Sequence, residues 1–321
     1  MHFSDHVLPG VPLVESPLFP ALMGSMDLTD AERDLAIQLH ERGYAVLDFP
    51  DDQLAERIDR IRAVLEPRFD VDWRNPAARK NVGDMRVQDA WIDNDDVRAI
   101  ATNDHILSLL SRLYGRKAFP FQTLNFPIGT QQPMHSDSIH FSSVPEKFMC
   151  GVWLAMENVS EQAGPLLYYP GTHKWPIITN EMLQVARDRE VKGAPQQPYQ
   201  AAWHALVEQA GLEAELFTAR KGQALIWAAN LLHGGSWQIN PALTRWSQVT
   251  HYFFEDCIYF TPAYSQMAVG KLDVREIRNV ASGDIVPNRY MGEPVVTGGH
   301  RPLSLRRRFK RGLKSLLHGW R

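Results

Sequence analysis

The amino-acid sequence predicts an α+β protein in which helices come first and a strand sandwich or barrel follows. Up to Gly115 the apolar positions recur at helical spacing. Beyond it the chain breaks into short aromatic and β-branched runs punctuated by Gly and Pro, the texture of antiparallel strands. Helices ahead of many short strands fit an α+β core better than alternating βα units. Internal repeats and low-complexity linkers are missing from the sequence, so residues 1–300 are expected to form a single domain, with 301–321 as a distinct tail.

The elements follow in order. "LTDAERDLAIQLHERG" opens with Thr29 and Glu32 at capping-box spacing, and Gly43 supplies the stop. "GYAVLDF" reads as a short strand. Leu54, Ile58, Ile61 and Leu65 predict an amphipathic helix over 51–66, ended by Pro67. A third helix is expected over 96–114, with Ile100, Leu107, Leu110 and Leu113 turned inward. "AFPFQTLNFPIG", "KFMCGVWLAMENV", "GPLLYYPG", "GQALIWAANLLHGG" and "TRWSQVTHYFF" read as strands, interrupted by helical insertions at 179–191 and 198–210. Trp227, Trp237, Tyr252, Phe253 and Phe254 are expected in the core.

Composition narrows the function classes. Hydrophobic residues are 44% and charged residues 22%, ordinary for a water-soluble globular chain. A net charge of −3 gives no global field for nucleic acid. Two cysteines, Cys150 and Cys257, form neither a disulfide framework nor a CxxC zinc motif, so a reducing cytoplasm is the expected compartment. The first 20 residues carry acid and prolines where a signal peptide needs basic and then apolar residues. No apolar run reaches the roughly 18 residues of a membrane span. The last 21 residues, "RPLSLRRRFKRGLKSLLHGWR", hold eight Arg or Lys and no acid. Leu305, Phe309, Leu313, Leu316 and Trp320 would form one stripe of a helix there, a pattern suited to peripheral contact with the inner face of an anionic membrane or to docking on the domain.

The chemistry centres on "QQPMHSDSIHF". His135 and Asp137 stand two apart, and strand side chains alternate faces with period two, so both point the same way. His233, in "WAANLLHGGSW", follows 98 residues later, just past another apolar run. Two histidines and one carboxylate make the facial triad that holds non-haem Fe(II) and leaves positions open for co-substrate and O₂. Twelve residues beyond His233, Arg245 and Ser247 repeat the two-residue spacing. A guanidinium fork with a neighbouring hydroxyl suits the distal carboxylate of a 2-oxo diacid.

The stretch from "QPMHSDSIHF" through "YYPGTHKWP", with "LLHGGSWQINPALTRWSQVTHYFF", resembles the phytanoyl-CoA dioxygenase family of Fe(II)/2-oxoglutarate oxygenases. The resemblance covers roughly residues 30–260. It implies a double-stranded β-helix core, jelly-roll and cupin-like, with N-terminal and inserted helices. It implies Fe(II) on His135, Asp137 and His233, and 2-oxoglutarate on Arg245 and Ser247, with O₂ as the other co-substrate. Trp153, Asn125 and Thr123 are further candidates for the co-substrate pocket. His140 and His251 are expected behind the ligands or in the core, and His173 at the substrate mouth or in a surface turn. Lys147, Lys174 and Arg220 could face a charged substrate.

The implied reaction couples decarboxylation of 2-oxoglutarate to hydroxylation of a small-molecule or lipid- or sugar-linked substrate. Asp137 matters here, because halogenating relatives lack that carboxylate. Two alternatives stay open at this point: a cupin-like isomerase or dioxygenase that uses no oxo acid, and a non-catalytic binding protein on the same fold.

Overall fold

The computed structural model describes residues 7–295, apart from 70, 79–84, 187–188 and 190–191. The basic tail, 301–321, lies outside the described residues. A short helix, α1 (Phe19–Leu22), leads into α2 (Asp30–Arg42), which carries the full Thr29/Glu32 capping box and ends on Gly43 at φ 82°. Strand β1 (Tyr44–Asp48) and helix α3 (Leu54–Leu65) follow. The buried residues of α3 are Leu54, Ile58, Ile61 and Leu65, the four apolar positions of its sequence pattern.

The helix expected over 96–114 is two helices, α4 (Asp95–Ala101) and α5 (Asp104–Tyr114). Asn103 makes the break. Its side-chain oxygen accepts from Ile106 N at 3.1 Å, capping α5, while its amide donates to Pro50 O at 2.9 Å. Of the two expected insertions, only the second is a helix, α6 (Gln197–Ala210). The described part of 179–191 forms turns instead.

Six antiparallel strands make the larger sheet, in the order β1, β8 (Gln223–Ala228), β5 (Met149–Ala155), β10 (Ser247–Phe254), β3 (Ala118–Phe126), β2 (Val87–Gln88). The smaller sheet runs β7 (Glu215–Phe217), β6 (Leu166–Tyr168), β9 (His233–Gly235). A further pair joins β4 (Ser142–Val144), soon after the first ligand segment, to β11 (Ile258–Phe260), which follows β10. This is a jelly-roll core with helices added, the predicted α+β class.

The larger sheet is buried on both faces, and period-two alternation separates them. Val152, Leu154, Ile226 and Phe254 join the apolar cluster that also contains Leu39, Ile58, Ile61 and Leu110 of the helices. Trp153, Leu225, Trp227 and Val249 join an inner cluster with Tyr168 and Phe217 of the smaller sheet. Tyr252, Phe253 and Phe254 are core residues as expected. Trp237 is not: it is 80% exposed, in the loop after β9. Among the described residues no helix is long and apolar enough to cross a membrane.

Candidate metal centre and co-substrate cavity

The 98 residues between the two histidines close in one antiparallel bridge. His135 N donates to His233 O at 2.8 Å, and His233 N to His135 O at 3.0 Å. The two imidazole centroids are then 4.3 Å apart. Gly234 permits the approach, since a Cβ there would lie 2.8 Å from the Gln132 carbonyl oxygen. Asp137 does not continue a strand; it opens a 3-10 turn, Asp137–Ile139. Ser136 remains extended (φ −115°, ψ 133°), so the alternation that aims His135 and Asp137 together still holds.

One atom from each of His135, Asp137 and His233 lies within 4.8 Å of the others. His135 Nε2 is 3.7 Å from Asp137 Oδ1, and His233 Nε2 is 3.8 Å from Asp137 Oδ2. Both rings are held from behind in the same way. His135 Nδ1 meets Pro133 O at 2.9 Å and His233 Nδ1 meets Leu231 O at 3.0 Å. A carbonyl can only accept, so each Nδ1 carries the proton and each Nε2 offers its lone pair to a metal. Burial, with His233 alongside, pushes His135 down to about 3, which keeps that lone pair available at neutral pH. Burial raises the Asp137 carboxyl, but His233, His251, His135 and the Trp227 indole outweigh it and hold the group at about 2.

Two further residues touch this centre: Trp227, read from the sequence as core, and His251, expected behind the ligands or in the core. Trp227 Nε1 donates to Asp137 Oδ2 at 2.9 Å. The indole reaches it by lying across Gly151, where a Cβ would fall 2.0 Å from Trp227 Cζ2. His251 places Nε2 3.7 Å from the same Asp137 oxygen, with Nδ1 against Gln122 Oε1 at 2.9 Å. The apposition of Gly151 and Trp227 on neighbouring strands was the missing signal, and it requires the register of β5 and β8.

A cavity of about 610 Å³ opens on the triad. Arg245 lines it just ahead of β10, not on the strand, although it shares the face of Ser247, Val249 and His251. It is 1% exposed, stacks with Cζ 5.5 Å from the Trp153 ring, and its side chain donates through Nη1 to Gly164 O at 3.1 Å. Burial lowers it to about 10, so it remains charged at neutral pH. No carboxylate lies within 4.0 Å of it among the described residues. Arg245 Nε, Ser247 Oγ and Trp153 Nε1 are all buried without a hydrogen-bond partner. A buried guanidinium left in this state is costly, and a carboxylate from a co-substrate would satisfy it. The residues present therefore fit both a divalent metal and a 2-oxo diacid.

Thr123 and Asn125 require correction. On β3 the cavity-lining residues are Gln122, Leu124 and Phe126, so the odd positions face the other way. Asn125 Nδ2 donates to Gln248, whose own amide donates to Val97 O on α4. His140 lines the cavity. His173 does not; it is 1% exposed, with Nε2 3.0 Å from His40 O. The three basic candidates are also elsewhere: Lys147 pairs with Glu15 at 2.9 Å, Arg220 pairs with Asp48 at 3.1 Å, and Lys174 is exposed.

Fold and site together define a jelly-roll protein built to hold one metal beside a buried cation. Residues 39–242 match the phytanoyl-CoA dioxygenase (PhyH) family, and the chain belongs to it. It is thereby an enzyme of the Fe(II)/2-oxoglutarate-dependent oxygenase class. A probable phytanoyl-CoA dioxygenase of Caenorhabditis elegans is 37% identical over 57 residues, which is 18% of each chain. Among solved structures, the epimerase SnoN in complex with Fe3+, alpha ketoglutarate and nogalamycin RO superposes with a TM-score of 0.54. It is 20% identical, over 84% of this chain and 96% of that one. The carbocyclase SnoK of nogalamycin biosynthesis gives 0.52 at 16% identity, over 73% and 87%. EctD from S. alaskensis with bound Fe gives 0.50 at 16% identity, over 71% and 77%. At these identities the likeness is one of fold.

Proposed function

We propose that this enzyme hydroxylates a C–H bond of a small-molecule, or lipid- or sugar-linked, metabolite. The observation that carries the reading is a three-ligand metal face and an unpaired buried guanidinium lining one cavity. When bound, iron, 2-oxoglutarate and O₂ supply the oxidising chemistry and leave succinate and CO₂. The chain's own residues do the rest. His135, Asp137 and His233 fix the metal, with Trp227 and the two backbone carbonyls fixing the ligands. Arg245 and Ser247 hold the distal carboxylate of the diacid, over the Trp153 ring. Leu124, Phe126, Leu225 and Val249 line the cavity with apolar surface that excludes water. An intact Asp137 favours hydroxylation over halogenation, because the carboxylate occupies the position a halide would need.

The test is anaerobic titration of the full chain with Fe(II) and 2-oxoglutarate, followed by the weak visible charge-transfer band of the chelate. The band should appear with wild type and be lost in His135→Ala. Admitting O₂ with substrate should release succinate and a hydroxylated product. A metal-bound protein with no band at saturating 2-oxoglutarate would instead favour the isomerase-like alternative.

A further inference from the structure

Arg86 and Arg275 line the cavity as well as Arg245, and the co-substrate does not need Arg275 if Arg245 takes the distal carboxylate. The surroundings of Arg275 are built. The backbone is pinned by Arg275 N donating to Tyr259 O at 2.8 Å and by Asn288 Nδ2 donating to Arg275 O at 3.1 Å. The guanidinium lies 4.8 Å from the Phe141 ring centroid. Phe141 in turn packs against His251, with centroids 5.2 Å apart, which puts this wall beside the Asp137 carboxylate. Both hydrogen bonds of the side chain leave from Nη1, to Thr261 Oγ1 at 3.0 Å and to His140 O at 3.4 Å. Nε is buried without a partner.

Among the described residues no acid forms an ion pair with this charge, and Asp273 acts on it only from a distance. Of the two carboxylates flanking it in sequence, Glu276 is exposed and Asp273 is held bidentately by Arg189 at 2.8 and 2.7 Å. Among the described residues no carboxylate lies within 4.0 Å of Arg275. The edge carrying Nε and Nη2 is the one that grips a planar carboxylate through two parallel bonds. The Thr261 hydroxyl, which accepts from Arg275, keeps its own proton to donate to the same anion.

We propose that Arg275 and Thr261 form an anion subsite for the primary substrate, which therefore carries a carboxylate or phosphate group. The proposal rests on the oxygenase reading of the cavity. In that geometry Arg245 holds the co-substrate on one wall and Arg275 holds the substrate on the wall of His140 and Phe141. Arg245 and Arg275 thereby sort two anions within one cavity.

The test uses the full chain, loaded anaerobically with Fe(II) and saturating 2-oxoglutarate so that Arg245 is occupied. The probes are hexanoate, hexyl phosphate and hexanamide, and binding is read by calorimetry and by perturbation of the visible band. An anionic probe should bind at least about 10-fold more tightly than hexanamide, as a charge-assisted bidentate contact implies. Tighter hexanoate identifies a carboxylate, tighter hexyl phosphate a phosphate. Arg275→Gln should remove that preference and leave hexanamide binding unchanged. Arg275→Lys should retain part of it, and it carries the test should the glutamine variant not fold. Equal binding of hexanoate and hexanamide, no binding of either anion, or an effect of Arg275→Gln on 2-oxoglutarate alone would overturn the subsite. A wild type lacking the band fails the oxygenase reading itself, whereas an intact band with no anion preference fails only this proposal.

Discussion

Asp137 is the residue on which the metal centre turns, because one of its oxygens already has a donor. Trp227 Nε1–H at 2.9 Å fixes the carboxylate's rotation before any metal arrives. Groups that orient ligands in this way are typically worth about 10–100-fold in metal affinity. Trp227→Phe keeps the ring and removes only the donor, so Fe(II) affinity should fall by about 10-fold or more while the protein stays folded. Metal titration against a fluorescent chelator reads this directly. Arg245→Gln addresses the other half of the site. Truncating one partner of a buried charge pair costs about 2–5 kcal/mol, so the 2-oxoglutarate dissociation constant should rise roughly 30-fold or more. An unchanged constant would remove Arg245 from the co-substrate site. The convergence of His135, Asp137 and His233, and the place of Arg245 in the same cavity, agree with the sequence reading, which rests on residue types and on the two-residue spacing of His135 with Asp137 and of Arg245 with Ser247. The role of Trp227 was not legible, since a tryptophan in an apolar run reads as core whether or not its N–H has work. Thr123 and Asn125 show the converse error: spacing tells that two residues share a face, not which face the cavity is on.

The strands hold the site through their register more than through their composition. β5 and β8 pair so that Gly151 stands opposite Trp227, and the indole fills the space a side chain would take. Gly151→Ala would put a methyl group within 2.0 Å of Trp227 Cζ2, so the ring must move. Overpacking of this kind costs about 1–3 kcal/mol. It should also withdraw the donor from Asp137. The expected result is a lower Tm together with weakened Fe(II) binding, of the order seen for Trp227→Phe. A variant that lost stability but bound Fe(II) normally would show that Trp227 does not orient Asp137. Helix limits were legible where a cap marks them, as at Thr29 and Gly43, whereas the apolar repeat gave the buried face of α3 but not its start, Leu54 instead of residue 51. The break between α4 and α5 was missed because apolar spacing runs through it. Asn103 ends the run by capping α5 and by bonding to Pro50 O, a contact 53 residues away that no local pattern contains.

At the scale of the whole molecule, the helices cover one face of the larger sheet and leave the other for the cavity, so ligand binding and folding share one inner cluster. The tail beyond 301 is a separate question of charge. Its eight cations without an acid predict that the full chain sediments with anionic vesicles and that a chain ending at Gly299 does not. Equal sedimentation of the two would retire membrane contact and leave the oxygenase assignment as it stands.

Ligand linkage gives the sharper whole-molecule prediction. A ligand that binds only the folded state, at 100 times its dissociation constant, adds about 2.7 kcal/mol. Unfolding entropy near 2.1 cal/mol/K per residue, over 321 residues, makes that a rise of about 4 °C in Tm. Chelator-stripped protein should therefore gain about 4 °C with saturating Mn(II), an oxygen-stable substitute for Fe(II). A further rise should follow with 2-oxoglutarate, but only when the metal is present, because the diacid's keto acid end needs the metal while Arg245 holds only its far end. Arg245→Gln should keep the metal increment and lose most of the second. His135→Ala should lose both. If 2-oxoglutarate raised the Tm equally with and without metal, the diacid would be binding at Arg245 without chelation. Metal and co-substrate would then not form the single site that the distances among His135, Asp137 and His233 and the position of Arg245 in the same cavity imply.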